Sequence, residues 1–345
     1  MADISATLIP LDHKLYKHYK AFSAAYLIGK NKFCFPKNGP EVIKKFQNFK
    51  VRDDDIYVLT FPKTGTTWLE EIAYVLLNDL DFEKINKTIR DFDIPYVDLD
   101  VWEIAVNLMD FTINLASPRC IKLHTSLSLL PNDFATKPKG SSGTMGGPEW
   151  ICWVEHLDLH EFVENKKIIL HYLHIFNTDL MRFPNFRFCT CAGTRAMAFC
   201  TFEGSIDDFA ELFMENKIPY TPYVTHVKEV WEKRHEKNIY FTTYEELQKN
   251  QEKVIAEIAQ FMNKSLTDDQ IKMVADHCKF DNMKKNPATN KKELDDTKTV
   301  VKDFKFMRKG IVGNWKSEMS PELSAKIDKW LLENTKDCPD LRKFL

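Results

Sequence analysis

Pro62-Lys63-Thr64-Gly65-Thr66-Thr67-Trp68 sets a cation, a glycine and three hydroxyls between a β-rich run, Ile56 to Phe61, and an amphipathic run, Trp68 to Leu77. A loop in that position aims free backbone N–H groups and the positive end of the following helix at an anion. Gly65 lets the backbone close around a phosphate, Lys63 adds a mobile cation, and Thr66 and Thr67 add hydroxyl donors. In a Walker A loop the lysine follows the second glycine. Here Lys63 precedes Gly65, and no Gly-Lys-Ser/Thr follows, so a P-loop kinase is disfavoured. A plain β-turn with an N-capping threonine is the bland alternative. Strand, loop chemistry and helix together favour a site for a phosphorylated nucleotide.

A second anion loop is Arg308-Lys309-Gly310-Ile311-Val312-Gly313-Asn314-Trp315-Lys316, where two adjacent cations and two glycines suit a phosphate or sulfate group. Alone it is weak, since basic residues beside glycine are more often solvated surface. His124, a lone histidine after a strand, is likewise more often structural than catalytic when read alone.

The elements that must position these residues follow from periodicity. Ile56 to Phe61, the turn and Trp68 to Leu77 read as strand, loop and helix, the opening of a βαβ unit. Cys120 to Leu123 and Asn238 to Thr243 read as further strands. Pro40 to Phe46, Tyr244 to Phe261, the segment from a capping Thr267 to Cys278, and Pro321 to Leu332 read as helices. Residues 1–55 are otherwise mixed. With 345 residues, 44% hydrophobic and 28% charged, the chain is expected to form a single α/β domain with a central, mainly parallel sheet flanked by helices.

A net charge of −2 gives no reason to expect a nucleic-acid or membrane-surface partner. No signal peptide or membrane span is legible, and eight irregularly spaced cysteines suggest reduced thiols. A cytoplasmic location is therefore expected. Between about 140 and 201 the pattern changes: a Gly/Ser-rich start is followed by Cys152, His156, His160, His171, His174, Cys189, Cys191 and Cys200. The spacing is too irregular for a structural zinc site, and no metal is expected. The only clear strand candidate in this stretch is Lys167 to His174.

FPKTGTTW and RKGIVGNWK together resemble the cytosolic sulfotransferase family. PRCIKLHTSLSLLP (118–131), FEGSIDDFAELF (202–213), YFTTYEEL (240–247) and KFDNMKKNPATNK (279–291) also match, in the style of an insect member near the retinol dehydratase branch. The resemblance covers about 50–139 and 202–320. It implies a P-loop-like sulfotransferase fold and sulfuryl transfer from 3'-phosphoadenosine 5'-phosphosulfate (PAPS) to the hydroxyl or amine of a small, largely apolar acceptor. By the match, Lys63, Thr64, Gly65, Thr66, Thr67 and Trp68 hold the 5' phosphosulfate. Phe306, Met307, Arg308, Lys309 and Gly310 belong to the nucleotide site, the last three at the 3' phosphate. Tyr244, Cys278, Phe280 and Met283 fall on the adenine side, with Cys278 where the family usually has threonine. His124 matches the general base, and Lys63 and Lys122 the cations that neutralise charge on the transferring and leaving oxygens.

One part of the family pattern is missing. After Lys139 the family shows a strand, an Arg-Asn-Pro-Lys-Asp run and a serine that together hold the 3' phosphate, and none of these is legible here. An insertion that rebuilds the site, a degraded site or a gene-model error such as a retained intron are the competing explanations, and the abrupt loss and recovery of matching favours the last. Losing a buried Arg–phosphate pair costs on the order of 2–5 kcal/mol, which in its middle range weakens binding by about a few hundredfold. A catalytically impaired nucleotide-binding protein is thus the alternative to an active enzyme. The family's dimer motif after the RKG loop is degenerate, since Lys316 is followed by SEMSPELSA, leaving monomer or homodimer open.

Overall fold

The computed structural model describes residues 3–19, 22–62, 64–88, 90–102, 108–131, 149–154, 190–191, 194–195, 202, 204–290 and 319–342, with the strands between 149 and 195 described by their backbone. Three sheets are formed among the described residues. β1 (Ala6–Leu8), β2 (Ala25–Ile28) and β3 (Phe33–Pro36) pair antiparallel, with Tyr26 opposite Phe35. β4 (Ile56–Thr60), β5 (Cys120–Leu123) and β6 (Glu149–Val154) belong to the central sheet, and β7 (Thr190–Cys191) and β8 (Thr194–Arg195) form a small antiparallel pair. β9 (Ile239–Thr243) completes the central sheet, whose order is β5-β4-β6-β9 with every pairing parallel.

β4, Ile56–Thr60, is buried at every position and reads as a near-continuous apolar run because both of its faces are covered. Alternate side chains feed two cores. Tyr57, Leu59, Ile121 and Leu123 join one core with the helices Ile206–Met214, Tyr223–Lys233 and Pro321–Asn334. Ile56, Val58 and Cys120 join the other with the helices Thr66–Leu77, Gln251–Phe261 and Asp268–His277. The result is the layered α/β architecture expected, with helices on both sides of a parallel sheet.

At the amino edge of the sheet, buried Arg119 makes a bidentate pair with Asp55, at 2.7 Å to Oδ1 and 2.5 Å to Oδ2. Tyr57 donates its hydroxyl to the same carboxylate at 2.8 Å, which ties the starts of β4 and β5 together.

Three expectations need correction. The segment Tyr244 to Phe261 is two helices, Tyr244–Lys249 and Gln251–Phe261, divided at Asn250 with φ −132° and ψ 50°. Asparagine competes poorly inside a helix because its amide offers the backbone other partners. Residues 1–55 hold the three-stranded antiparallel sheet, whose strands of three or four residues carry too short a pattern to be read locally. The strand Glu149–Val154 enters the central sheet between β4 and β9 and was not anticipated; Lys167 to His174, the strand expected in that stretch, lies outside the described residues.

Candidate active site

β4 has β5 on one flank and β6 on the other, so the chain winds away in opposite directions from this point, and in open parallel sheets ligands bind beyond the carboxyl ends of the strands there. The loop after β4 and the loop after β5 both open at this edge. Gly65 adopts φ 104° and ψ 20°, a left-handed conformation that glycine takes without strain, and it is the N-cap of Thr66–Leu77. Thr66 and Thr67 then occupy the first turn, where backbone N–H groups have no intrahelical acceptor. Thr64 is buried and donates its hydroxyl to the Phe61 carbonyl at 2.8 Å, which folds the loop back on the strand. Lys63 lies outside the described residues.

His124 is the first residue beyond β5 and is buried. Its Nδ1 lies 2.7 Å from the Thr60 carbonyl oxygen and 3.0 Å from Thr60 Oγ1. A carbonyl only accepts, so Nδ1 carries a hydrogen and donates it to Thr60. Thr60 Oγ1 also meets Thr66 Oγ1 at 2.7 Å, joining the imidazole to the first turn of the anion-loop helix. The rings of Tyr96 and Tyr220 meet that of His124 edge-on at centroid distances of 4.9 and 5.8 Å, and their hydroxyls bond each other at 2.7 Å. Tyr220 holds φ 69°, a left-handed conformation costly for a bulky residue.

Behind the imidazole stands Asp98, whose Oδ2 accepts the N–H of His124 at 2.9 Å, the N–H of Thr125 at 2.5 Å and the Thr125 hydroxyl at 2.7 Å. Burial pushes the Asp98 carboxyl up from 3.8 to about 6, although those three hydrogen bonds pull the other way. On the opposite side His226 donates Nε2–H to the His124 carbonyl at 3.0 Å. Burial holds the His226 imidazole below its usual value, so it is neutral at pH 7.

Lys122, one residue before the end of β5, pairs with Glu70 at 2.8 Å and lies 5.0 Å from the centre of the Tyr96 ring. Its charge is thus already matched by a buried carboxylate. The adjacent Glu71 accepts from Arg90 at 2.6 and 3.0 Å and meets His277 Nε2 at 2.7 Å. Burial opposes its ionisation, but the hydrogen bonds from His277 and Arg90 outweigh it and hold the Glu71 carboxyl below its ordinary value.

Tyr244, Cys278 and Met283, the residues expected on the adenine side, lie near Trp68 of the expected phosphosulfate loop. Trp68 and Tyr244 meet in a T-shaped contact at 5.6 Å, and both pack against the core that contains Cys278 and Met283. Burial raises the Cys278 thiol well above its usual range, so it packs there as a small apolar group. Phe280 is half-buried one turn before Met283. Phe306, Met307, Arg308, Lys309 and Gly310 lie outside the described residues, as do the histidine and cysteine side chains between 152 and 200. A surface cleft of about 730 Å³, lined by Phe82, Met273, His277, Asn282 and Lys285, shares no residue with the anion loop or His124.

Sequence reasoning passed over Thr60, Tyr96, Asp98, Tyr220 and His226. Only His226 left a signal: it falls on the apolar face marked by Tyr223, Val227, Val230 and Trp231, where a polar side chain needs a partner.

Sulfotransferase 1B1 of Mus musculus is 29% identical over 286 residues, covering 83% of this chain and 84% of its own. The luciferin sulfotransferase of Photinus pyralis is 29% identical over 325 residues, covering 88% and 78%. Among solved structures, retinol dehydratase in complex with androsterone and the inactive cofactor PAP superimposes with a TM-score of 0.77 at 21% identity, over 97% of both chains. A mouse sulfotransferase complexed with PAP superimposes with a TM-score of 0.59 at 20% identity, over 90% of this chain and 94% of that one. Both share the fold. The sulfotransferase-domain profile matches residues 53–139 and 190–339, which take in the anion loop, His124 and β9. By that match, which spans well over half its length, the chain belongs to the sulfotransferase family.

Proposed function

We propose that this protein transfers a sulfuryl group from PAPS to the hydroxyl or amine of a small, largely apolar acceptor in the cytoplasm, with His124 as general base. The observation that carries the reading is the imidazole of His124, which donates Nδ1–H to the Thr60 carbonyl and is linked through the Thr60 hydroxyl to Thr66 at the start of the helix after the glycine loop. PAPS would supply an activated sulfuryl group whose leaving oxygen departs on a phosphate. Gly65, Thr66 and Thr67 would receive the anionic end at the helix start, and the Trp68–Tyr244 pair would offer an aromatic wall to a nucleobase. Nε2 of His124 takes the acceptor proton as the acceptor oxygen bonds to sulfur, so the nucleophile gains charge only during attack. Lys63 and Lys122 neutralise charge on the oxygens in flight; for Lys122 this entails release from Glu70. Among the described residues no helix is long and apolar enough to cross a membrane.

The alternative is a nucleotide-binding protein with impaired catalysis, favoured by the absence of a legible Arg/Ser pair for the 3' phosphate. One experiment separates the two. Purified protein is given labelled PAPS with phenols, alcohols and sterols, including retinol and androsterone, the ligands of the retinol dehydratase structures. Label transfer establishes the enzyme. Thermal stabilisation by PAP without transfer to any acceptor establishes the binder, and neither response overturns both. Gel filtration with light scattering on the same sample distinguishes monomer from homodimer.

A further inference from the structure

We propose that Asp98 and His226 are positioning residues for the reaction: together they hold both polar atoms of the His124 peptide, so that the imidazole keeps one orientation and one tautomer. The inference rests on the reading of His124 as general base. In a strand the N–H and C=O of a residue are satisfied by its ladder neighbours. His124 stands one residue past the last paired position of β5, Leu123. Its N–H goes instead to Asp98 Oδ2 at 2.9 Å, and its C=O receives Nε2–H of His226 at 3.0 Å. These two partners lie 26 and 102 residues away in sequence and come from different elements, the 3-10 turn Val97–Trp102 and the helix Tyr223–Lys233.

The grip extends along the loop. Asp98 also takes both donors of Thr125, and Glu229, one turn beyond His226, accepts from the Ser126 hydroxyl and from the Ser128 N–H at 3.0 Å. Asn31 bonds the other oxygen of Glu229 at 2.7 Å, so that carboxylate is itself fixed. Asp98 and His226 both spend their side-chain hydrogen bonds on this one loop. Asp98 concentrates three donors on Oδ2 while Oδ1, also buried, has no hydrogen-bond partner among the described residues. His226 spends Nε2–H on the His124 carbonyl while its Nδ1 has none among the described residues. Each side chain leaves one atom unmatched, and the hydrogen bonds it does make converge on the peptide that carries the base. With Cα fixed from both sides, the ring swings only about its own side-chain bonds, and Nδ1–H to Thr60 closes that freedom.

The test compares Asp98→Ala and His226→Ala with Asp98→Asn and His226→Gln, which keep an accepting oxygen and a donating Nε2. The full chain, labelled with 15N-histidine, is read by NMR for the His124 ring signal, identified by its loss in His124→Gln. Labelled-PAPS turnover and PAP thermal shift are measured on the same samples. The expected result is an Nδ1–H tautomer for His124 in the parent and a shifted or exchange-broadened signal in both alanine variants. We expect kcat to fall by about ten- to a hundredfold, with KM for PAPS changed less than about twofold, because misplacement rather than binding is lost. The Asn and Gln variants should recover to within about threefold of the parent. An unchanged His124 signal in the folded alanine variants overturns the proposal, as does a conservative variant as impaired as its alanine counterpart. If an alanine variant does not fold, the Asn and Gln spectra decide, since retained parental ring signals are then required. A parent that transfers nothing, yet shows the predicted NMR shifts in the variants, refutes sulfuryl transfer while leaving the positioning of the imidazole established.

Discussion

At the scale of the residue, His124 and Asp98 answer to different experiments. Replacing His124 by alanine removes the proposed proton acceptor together with its hydrogen bonds to Thr60. We expect kcat to fall by about 10²–10⁴-fold while PAP-induced stabilisation stays within error of the parent, as read by labelled-PAPS turnover and differential scanning fluorimetry. Asp98 shows itself in the pH dependence of stability. Its carboxyl titrates near 6 in the folded protein against 3.8 for the ordinary group, so between these values the folded state keeps a proton that the unfolded chain has lost. Unfolding free energy therefore declines as pH rises from about 4 to about 6 and levels off above, by roughly 3 kcal/mol from this group. Urea titrations across pH 4 to 7 should show that slope weakened in Asp98→Asn relative to the parent. Neither assignment was legible beforehand to the same degree. His124 stood in a recognisable Lys-x-His, whereas Asp98 sits in an apolar run, Ile94-Pro95-Tyr96-Val97-Asp98, whose only oddity is a carboxylate that its partners make tolerable 26 residues later.

At the scale of the element, the helix Thr66–Leu77 joins chemistry at its start to stability along its length. Gly65→Ala forces a side chain into the left-handed conformation, a strain of about 1–2 kcal/mol, and turns the amides of the anion loop. Stability should drop by about that amount, and PAP binding measured by calorimetry should weaken by more than the stability loss alone implies. Further along, Glu71 links this helix to Arg90 and to the C-terminal turn of Asp268–His277. Arg90→Met leaves a buried carboxylate with only His277, and we expect a loss of about 3–5 kcal/mol at neutral pH. Because Glu71 is held below its ordinary value in the parent, the stability it contributes is present at neutral pH and disappears as pH falls through the acidic range. The gap between variant and parent should narrow there. The helices were legible where caps and periodicity agree: Thr267 caps Asp268–His277 as expected, and the structure adds the reciprocal bond from Gln270 that makes it a capping box. They were not legible where one residue decides, as at Asn250. The antiparallel strands near the N-terminus depend on partners such as Tyr26 and Phe35, which no window of three or four residues contains.

At the scale of the whole molecule, the parallel sheet divides two cores, and the C-terminal helix Pro321–Asn334 belongs to one of them. Leu323, Ile327 and Leu331 are buried there, and Trp330 donates its indole N–H to the Met214 carbonyl at 3.0 Å. Leu331→Ala should cost about 2–5 kcal/mol in chemical denaturation. KM for PAPS should be unchanged, since the described contacts of this helix run to Ile206–Met214, to Lys228 and to the core. The fold class and the order strand, anion loop, helix were readable because hydrophobic period and glycine placement are local. The place of β6 was not, because a buried parallel strand differs from any short apolar run only in what lies beside it.

The all-parallel order β5-β4-β6-β9 has a consequence for how the site comes into being. The anion loop leaves the ribosome early, but the last strand of its sheet, Ile239–Thr243, and Tyr244, the partner of Trp68, follow some 180 residues later. His226, which holds the His124 carbonyl, is made just before them. No amino-terminal fragment ending before β9 can present a finished pocket, and pairings this distant in sequence make for slow refolding. Ligand capture is therefore a property the growing chain acquires late and all at once, and PAP should be unable to rescue a stalled nascent chain that stabilises readily once complete.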